Sequence, residues 1–138
     1  MSYDLMVFDA DAAPKVRQLF LEWYEQQFIE MSPYNDPVIL TPGLHAWLLE
    51  MIQTFPLLNG PLAQEELPED ETAATDYSLS QNSIYADFAW SKAKEAHAKT
   101  TRLAAKHGIV FFDVSSSKGE IWFPDDNGGL TLAFSYME

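Results

Sequence analysis

Between Ile84 and Val114 the hydrophobic pattern changes period twice, and this change constrains the fold more than any other feature. Ile84, Ala86, Phe88 and Trp90 alternate as one face of a strand, with Tyr85, Asp87 and Ala89 opposite. Ala93, Ala96, Thr100, Leu103 and Ala104 then recur at helical spacing, and residues 109–114 return to an apolar run. Ser91 is placed to cap the helix over 92–107, and Gly108 to end it in a left-handed conformation. Two strands joined by a helix with a small-residue face require a sheet that the helix can approach closely.

The flanking segments supply the rest of that sheet. Tyr3-Asp4-Leu5-Met6-Val7-Phe8 is apolar enough on both faces to be a central strand. Pro14 fits the first turn of a helix whose buried face is Val16, Leu19, Phe20, Trp23, Tyr24, Phe28 and Met31. Ser32-Pro33-Tyr34-Asn35-Asp36-Pro37 stops it, and a second helix, capped by Thr41, runs from there to Phe55 through Leu44, Trp47, Leu48, Met51 and Ile52. Residues 76–79 predict a strand turning around Gln81-Asn82 into 83–90. Residues 109–114 and 120–123 predict a hairpin turned by Ser115-Ser116-Ser117-Lys118-Gly119. After Asp125-Asp126-Asn127-Gly128-Gly129, residues 130–136 are either a terminal strand or an ordered arm.

With the two early helices taken as one crossover, the order predicts an α+β fold. It is a ferredoxin-like split βαβ arrangement with an added C-terminal hairpin strand and helices mainly on one sheet face. A chain of 138 residues with 9 Phe, 6 Tyr and 4 Trp builds one core, so residues 1–138 are expected to form a single domain. Within it, 56–75 is an acidic internal connection, broken by Pro56, Asn59, Gly60, Pro61 and Pro68 and charged by Glu65, Glu66, Glu69, Asp70 and Glu71.

Charge narrows the function classes. Twenty-one acidic residues against eight Lys and Arg give a formal charge of -13, which repels nucleic acid and favours a basic partner. Residues 92–107 hold five Lys or Arg and one acid, a local +4, so the remainder carries -17. Cysteine is absent, which excludes disulfides and thiolate metal ligands. No segment reads as a signal sequence or membrane span, so a cytoplasmic protein is expected, with no cofactor, no metal and no membrane partner.

Candidate sites are few. The acidic residues Glu65, Glu66, Glu69, Asp70, Glu71, Asp125 and Asp126 are the candidate protein-binding surface. Asp87, Asp113 and Glu120 lie in apolar strand segments; if two of them met in a cleft with a histidine, they would form an acid/base site for a small hydrolase or isomerase. His45, His97 and His107 lack metal-ligand spacing, and His107 suits a helix C-terminus. Asp9-Ala10-Asp11 is similar to the aspartate pair of phosphatases and mutases at that one point. No partner motif follows, and Asp11 reads as a charge at a helix start. Ser115, Ser116 and Ser117 read as turn residues, and so do Gly128 and Gly129. Tyr77, Tyr85, Trp90 and Trp122 read mainly as core, with a stacking or anchoring surface as the alternative. A structural or adaptor role without catalysis is the third reading.

The segments 3–8, 76–78, Ile84-Tyr85, Phe88-Ala89-Trp90-Ser91, 107–116 and Gly119-Glu120-Ile121-Trp122-Phe123-Pro124 together resemble a small bacterial family of poorly characterised cytoplasmic proteins. Small acidic proteins of this organisation resemble immunity proteins encoded beside bacterial toxins. The resemblance implies binding and neutralising a basic toxin. It assigns no residue to the contact and carries over no catalytic residue.

Overall fold

The computed structural model describes residues 2–31, 35–58, 60–63, 66 and 68–136. Six strands form one antiparallel sheet: β1 (Tyr3–Phe8), β2 (Asp76–Ser80), β3 (Ser83–Phe88), β4 (Val110–Phe112), β5 (Glu120–Pro124) and β6 (Leu130–Ser135). Their spatial order is β2-β3-β1-β4-β5-β6, which puts β1 at the centre as its two-sided apolar sequence requires. Three α-helices accompany them, α1 (Arg17–Glu30), α2 (Pro42–Met51) and α3 (Ala93–His107), so the fold is α+β with a multi-stranded antiparallel sheet. The 81–82 turn and the β4–β5 hairpin form as read, and residues 130–135 are a strand paired with β5.

Alternation along β1 sends its side chains to two separate cores. Tyr3, Leu5 and Val7 join Tyr77, Leu79, Ile84, Ala86, Phe88 and Phe111 under α2 and α3, whose contributions are Leu44, Trp47, Leu48, Met51, Ala96, Leu103 and Ala104. Met6 and Phe8 point the other way, to Val110, Phe112, Ile121 and Phe20 of α1. The expectation of helices mainly on one face therefore holds for α2 and α3 and fails for α1, which packs alone on the opposite face. An aromatic cluster in which Phe20 meets Phe8, Phe112 and Phe134 holds it there.

Several boundaries are corrected. Helix α1 begins at Arg17, not at Pro14, because Val16 is still extended. Its buried residues are Phe20 and Gln27, while Val16, Leu19 and Phe28 stay exposed. Gln27 accepts hydrogen bonds from Ser80 Oγ (3.1 Å) and Ser83 Oγ (2.8 Å), fastening the helix to the β2–β3 turn. Helix α2 ends at Met51, so Phe55 enters the core from the loop beyond it. Thr41 occupies the N-cap position without capping; its hydroxyl donates to the Asp9 carboxylate instead, at 2.7 and 2.8 Å. Ser91 lies in a short 3-10 turn before α3, whose start has no side-chain cap, and Trp90 leaves the strand face for this turn, half-exposed. Gly108 ends α3 at φ 65° as read.

The 56–75 connection is closed at its base rather than solvated throughout. Leu57 is buried and bridges Thr75, and Thr75 N–H donates to the Pro56 carbonyl at 2.8 Å. Of the 32–37 turn, Ser32, Pro33 and Tyr34 lie outside the described residues. Asn35 is buried against the outer side of β2, donating to the Tyr77 carbonyl (2.6 Å) and accepting from Leu79 N–H (3.2 Å), as a neighbouring strand would.

Candidate functional site

Helix α3 packs over β1 and β4, and β5 and β6 carry the sheet on past it. The result is a cleft of about 420 Å³ on the α3 side. His97 and Thr101 of α3 form one wall, Phe111, Trp122 and Leu130 the apolar remainder, and Asp113 and Glu120 the acidic end. Both carboxylates face this side by strand alternation: Asp113 is two residues past Phe111, and Glu120 two before Trp122. Two of the three strand carboxylates singled out in the sequence thus meet beside a histidine.

The Asp113 side chain is 13% exposed, and its Oδ2 stands 3.6 Å from His97 Nε2, an ion-pair separation too long for a hydrogen bond. Its Oδ1 is buried with no hydrogen-bond partner. Burial pushes the Asp113 carboxyl above its usual range; His97 opposes the shift and the Glu120 charge adds to it. Burial, with the Asp113 charge behind it, also pushes the Tyr3 phenol up to about 12. The His97 ring meets Phe111 edge-on at 5.4 Å. The Thr101 hydroxyl donates back to the His97 carbonyl at 2.9 Å, so it is engaged with its own helix.

The third carboxylate, Asp87, is on the other face. It lies across from Asp4 on β1 and from Asp76 on β2, so three aspartates form a row over three strands. Asp4 is well supported, accepting from Tyr85 Oη (2.6 Å) and Ser2 Oγ (2.5 Å). Asp87 Oδ1 is buried without a partner, and burial, followed by the adjoining Asp4 and then Asp76, pushes this carboxyl up to about 7. Asp4 and Asp76 escaped the sequence reading because the row depends on the register of strands far apart in the chain.

The acidic surface residues do not form one patch. Glu66, Glu69, Asp70 and Glu71 are exposed; Glu65 lies outside the described residues. They precede β2 at one edge of the sheet, at the end where β1 begins. Asp125 and Asp126 are exposed in the β5–β6 turn, at the far edge and opposite end. Asp70 pairs with Lys92 at 2.7 Å and accepts from Thr72, and Lys92 first, then Thr72, hold its carboxyl down at about 2. Asp125 accepts from the backbone N–H of Asn127 (2.8 Å) and Gly129 (2.9 Å), shaping its own turn.

Other candidates take structural roles. Asp9 anchors Thr41 across an open depression that Asp11 and His107 also line. His107 Nε2 meets Glu50 Oε2, and Lys106 Nζ reaches the other Glu50 oxygen at 2.8 Å, clasping α2 to α3. Ser115 Oγ accepts from Asp4 N–H (2.8 Å), tying the β4–β5 turn to β1, and Ser116 Oγ accepts from Gly119 N–H (2.9 Å) within that turn. Tyr77 is buried and donates to the Phe55 carbonyl at 2.9 Å.

Among the described residues no group of three or more His, Asp or Glu is arranged to hold a metal ion, and no helix is long and apolar enough to cross a membrane. The fold is α+β with a multi-stranded antiparallel sheet, and beside α3 it carries a small, partly apolar cleft with two carboxylates at one end. No family model matches the chain, and searches of curated proteins and of solved structures find no match.

Proposed function

We propose that this chain is an acidic protein-binding domain, acting in the bacterial cytoplasm, that neutralises or regulates a basic protein of the bacterial-toxin kind. The observation that carries the reading is the charge: -13 overall and -17 outside α3 and its leading turn, with Glu66, Glu69 and Glu71 exposed before β2. A field of this sign steers a cationic protein into contact and turns nucleic acid away. Asp70 and Asp125 are tied to local partners, which leaves Glu66, Glu69, Glu71 and Asp126 as the steering charges, with Glu65 beside them in sequence. For the scaffold, we read the order β2-β3-β1-β4 as a ferredoxin-like split βαβ core extended by β5 and β6; α1 on the opposite face is a departure from that arrangement.

The test is recovery of the partner from the native bacterium at physiological salt, followed by association kinetics over a salt series. Replacing Glu66, Glu69 and Glu71 with Gln should slow association about tenfold at low salt and flatten its salt dependence. Blocked activity of a stoichiometric basic toxin supports neutralisation. Unchanged association removes the 66–71 segment from the contact.

One observation favours a second reading, a small hydrolase or isomerase: Asp113, Glu120 and His97 share an apolar cleft. Turnover of an ester, amide or sugar substrate that disappears in both His97→Gln and Asp113→Asn would establish it. Turnover that persists in these variants would remove it.

A further inference from the structure

We propose that the cleft between α3 and β5 is a receptor for a guanidinium group, taking one arginine side chain of the basic protein that the acidic surface attracts. The inference deepens the binding reading and rests on it. Steering charges act at a distance and in solvent, so they set the encounter rate and leave the complex without an anchor. The cleft has the chemistry of an anchor.

Its acidic end presents two carboxylates, Asp113 and Glu120; Asp113 Oδ2 stands 3.6 Å from His97 Nε2, and Asp113 Oδ1 is shut off from solvent. Two carboxylates side by side repel each other, and the donor that relieves them most is charged. An anion would meet two like charges there, and a neutral apolar group would desolvate the carboxylates without pairing them. The remaining walls, Trp122, Phe111 and Leu130, suit the aliphatic stem and flat face of arginine. Arginine fits better than lysine because its planar fork carries five N–H donors, enough to reach both carboxylates while stacking on an indole. The Thr101 hydroxyl is engaged with its own helix, so the site offers no free hydroxyl nucleophile, and binding is the simpler use of its charge.

The probe is N-acetyl-arginine N-methylamide, titrated against the labelled full chain while the indole N–H of Trp122 is followed by NMR. The neutral isostere N-acetyl-citrulline N-methylamide serves as control. A saturable shift at Trp122 with the arginine probe is expected, weakened at least tenfold in Asp113→Asn and in Glu120→Gln and absent with citrulline. Equal binding of citrulline, or binding unchanged in both variants, overturns the proposal. Unchanged far-UV circular dichroism shows each variant to be folded. Agmatine separates the two sources of a guanidinium: if it binds and the peptide-linked probe does not, the ligand is a small molecule and the protein-borne anchor is wrong. With the recovered basic partner, Asp113→Asn should speed dissociation at least tenfold, whereas the Glu66, Glu69 and Glu71 replacement slows association. Unchanged dissociation in Asp113→Asn overturns the anchor and leaves the acidic-surface reading standing.

Discussion

Asp87 faces Asp4 across the β1–β3 ladder, one carboxylate with hydrogen-bond donors around it and the other with a buried oxygen that has none. Burial first, then the neighbouring Asp4 and Asp76, push the Asp87 carboxyl up to about 7, against about 3.9 for an unfolded aspartate. Between these values the folded state holds the extra proton, so this pair's contribution to stability is full below pH 4 and is lost as pH rises through 7. Asp87→Asn should therefore stabilise the protein at pH 8 by about 1–2 kcal/mol, after solvent screening at a half-exposed site, and change little at pH 4. Urea midpoints at the two pH values check this; an equal change at both contradicts it.

Gln27 is the one polar residue that α1 buries, and it holds two serine hydroxyls of the β2–β3 turn. Gln27→Ala should cost about 1–3 kcal/mol, because buried hydroxyls lose their acceptor. Replacing Ser80 and Ser83 with Ala together with Gln27→Leu should recover much of the loss. Equilibrium unfolding of the single and triple variants gives the comparison.

Phe20 and Leu19 are neighbours with opposite fates, the first fully buried and the second about half-exposed. Phe20→Ala should destabilise by about 3–5 kcal/mol, since it opens a cavity where α1 meets Phe8 and Phe112. Leu19→Ala should stay within about 0.5 kcal/mol. Thermal and urea unfolding of both variants tests the ranking.

Two glycines separate backbone strain from crowding. A methyl group at Gly108 meets nothing within 4 Å, so Gly108→Ala should cost only the left-handed backbone, about 1 kcal/mol. At Gly119 the backbone is also left-handed, and a new Cβ would lie 3.0 Å from Tyr136 Cβ. Gly119→Ala should be the more destabilising of the two, as measured by urea midpoint.

Much of this molecule is legible in local pattern. Helix α3 follows from its small-residue face and Gly108, and the central strand from apolar residues on both of its sides. That same two-sidedness hides which face each helix takes: Leu5 and Val7 offer α1 as good a surface as Met6 and Phe8 do. The apolar residues of α1 overstate its burial because one helix alone on a sheet face contacts it with a narrow stripe, leaving Leu19 about half-exposed and Phe28 only partly covered by Tyr24 and Tyr85. Asp113 and Glu120, like Asp87, are legible as candidates because each is a carboxylate in an apolar strand segment. The meeting of the first two with His97 depends on how α3 lies over β4, and the Asp4–Asp87 pairing on a register set by strands some eighty residues apart.

The β5–β6 hairpin extends the sheet beside β4, with a register shift between Ile121 and Trp122, and serves both cores: Ile121, Phe123 and Phe134 pack toward α1, and Trp122 and Leu130 against the opposite core. Trp122 and Leu130, with Glu120, also line the cleft. The hairpin that lines the cleft is thus also part of what holds the sheet to its helices. A substitution at Trp122 or Leu130 therefore alters the cleft and the packing beneath α3 together, so the shape of the cleft is tied to the stability of the fold.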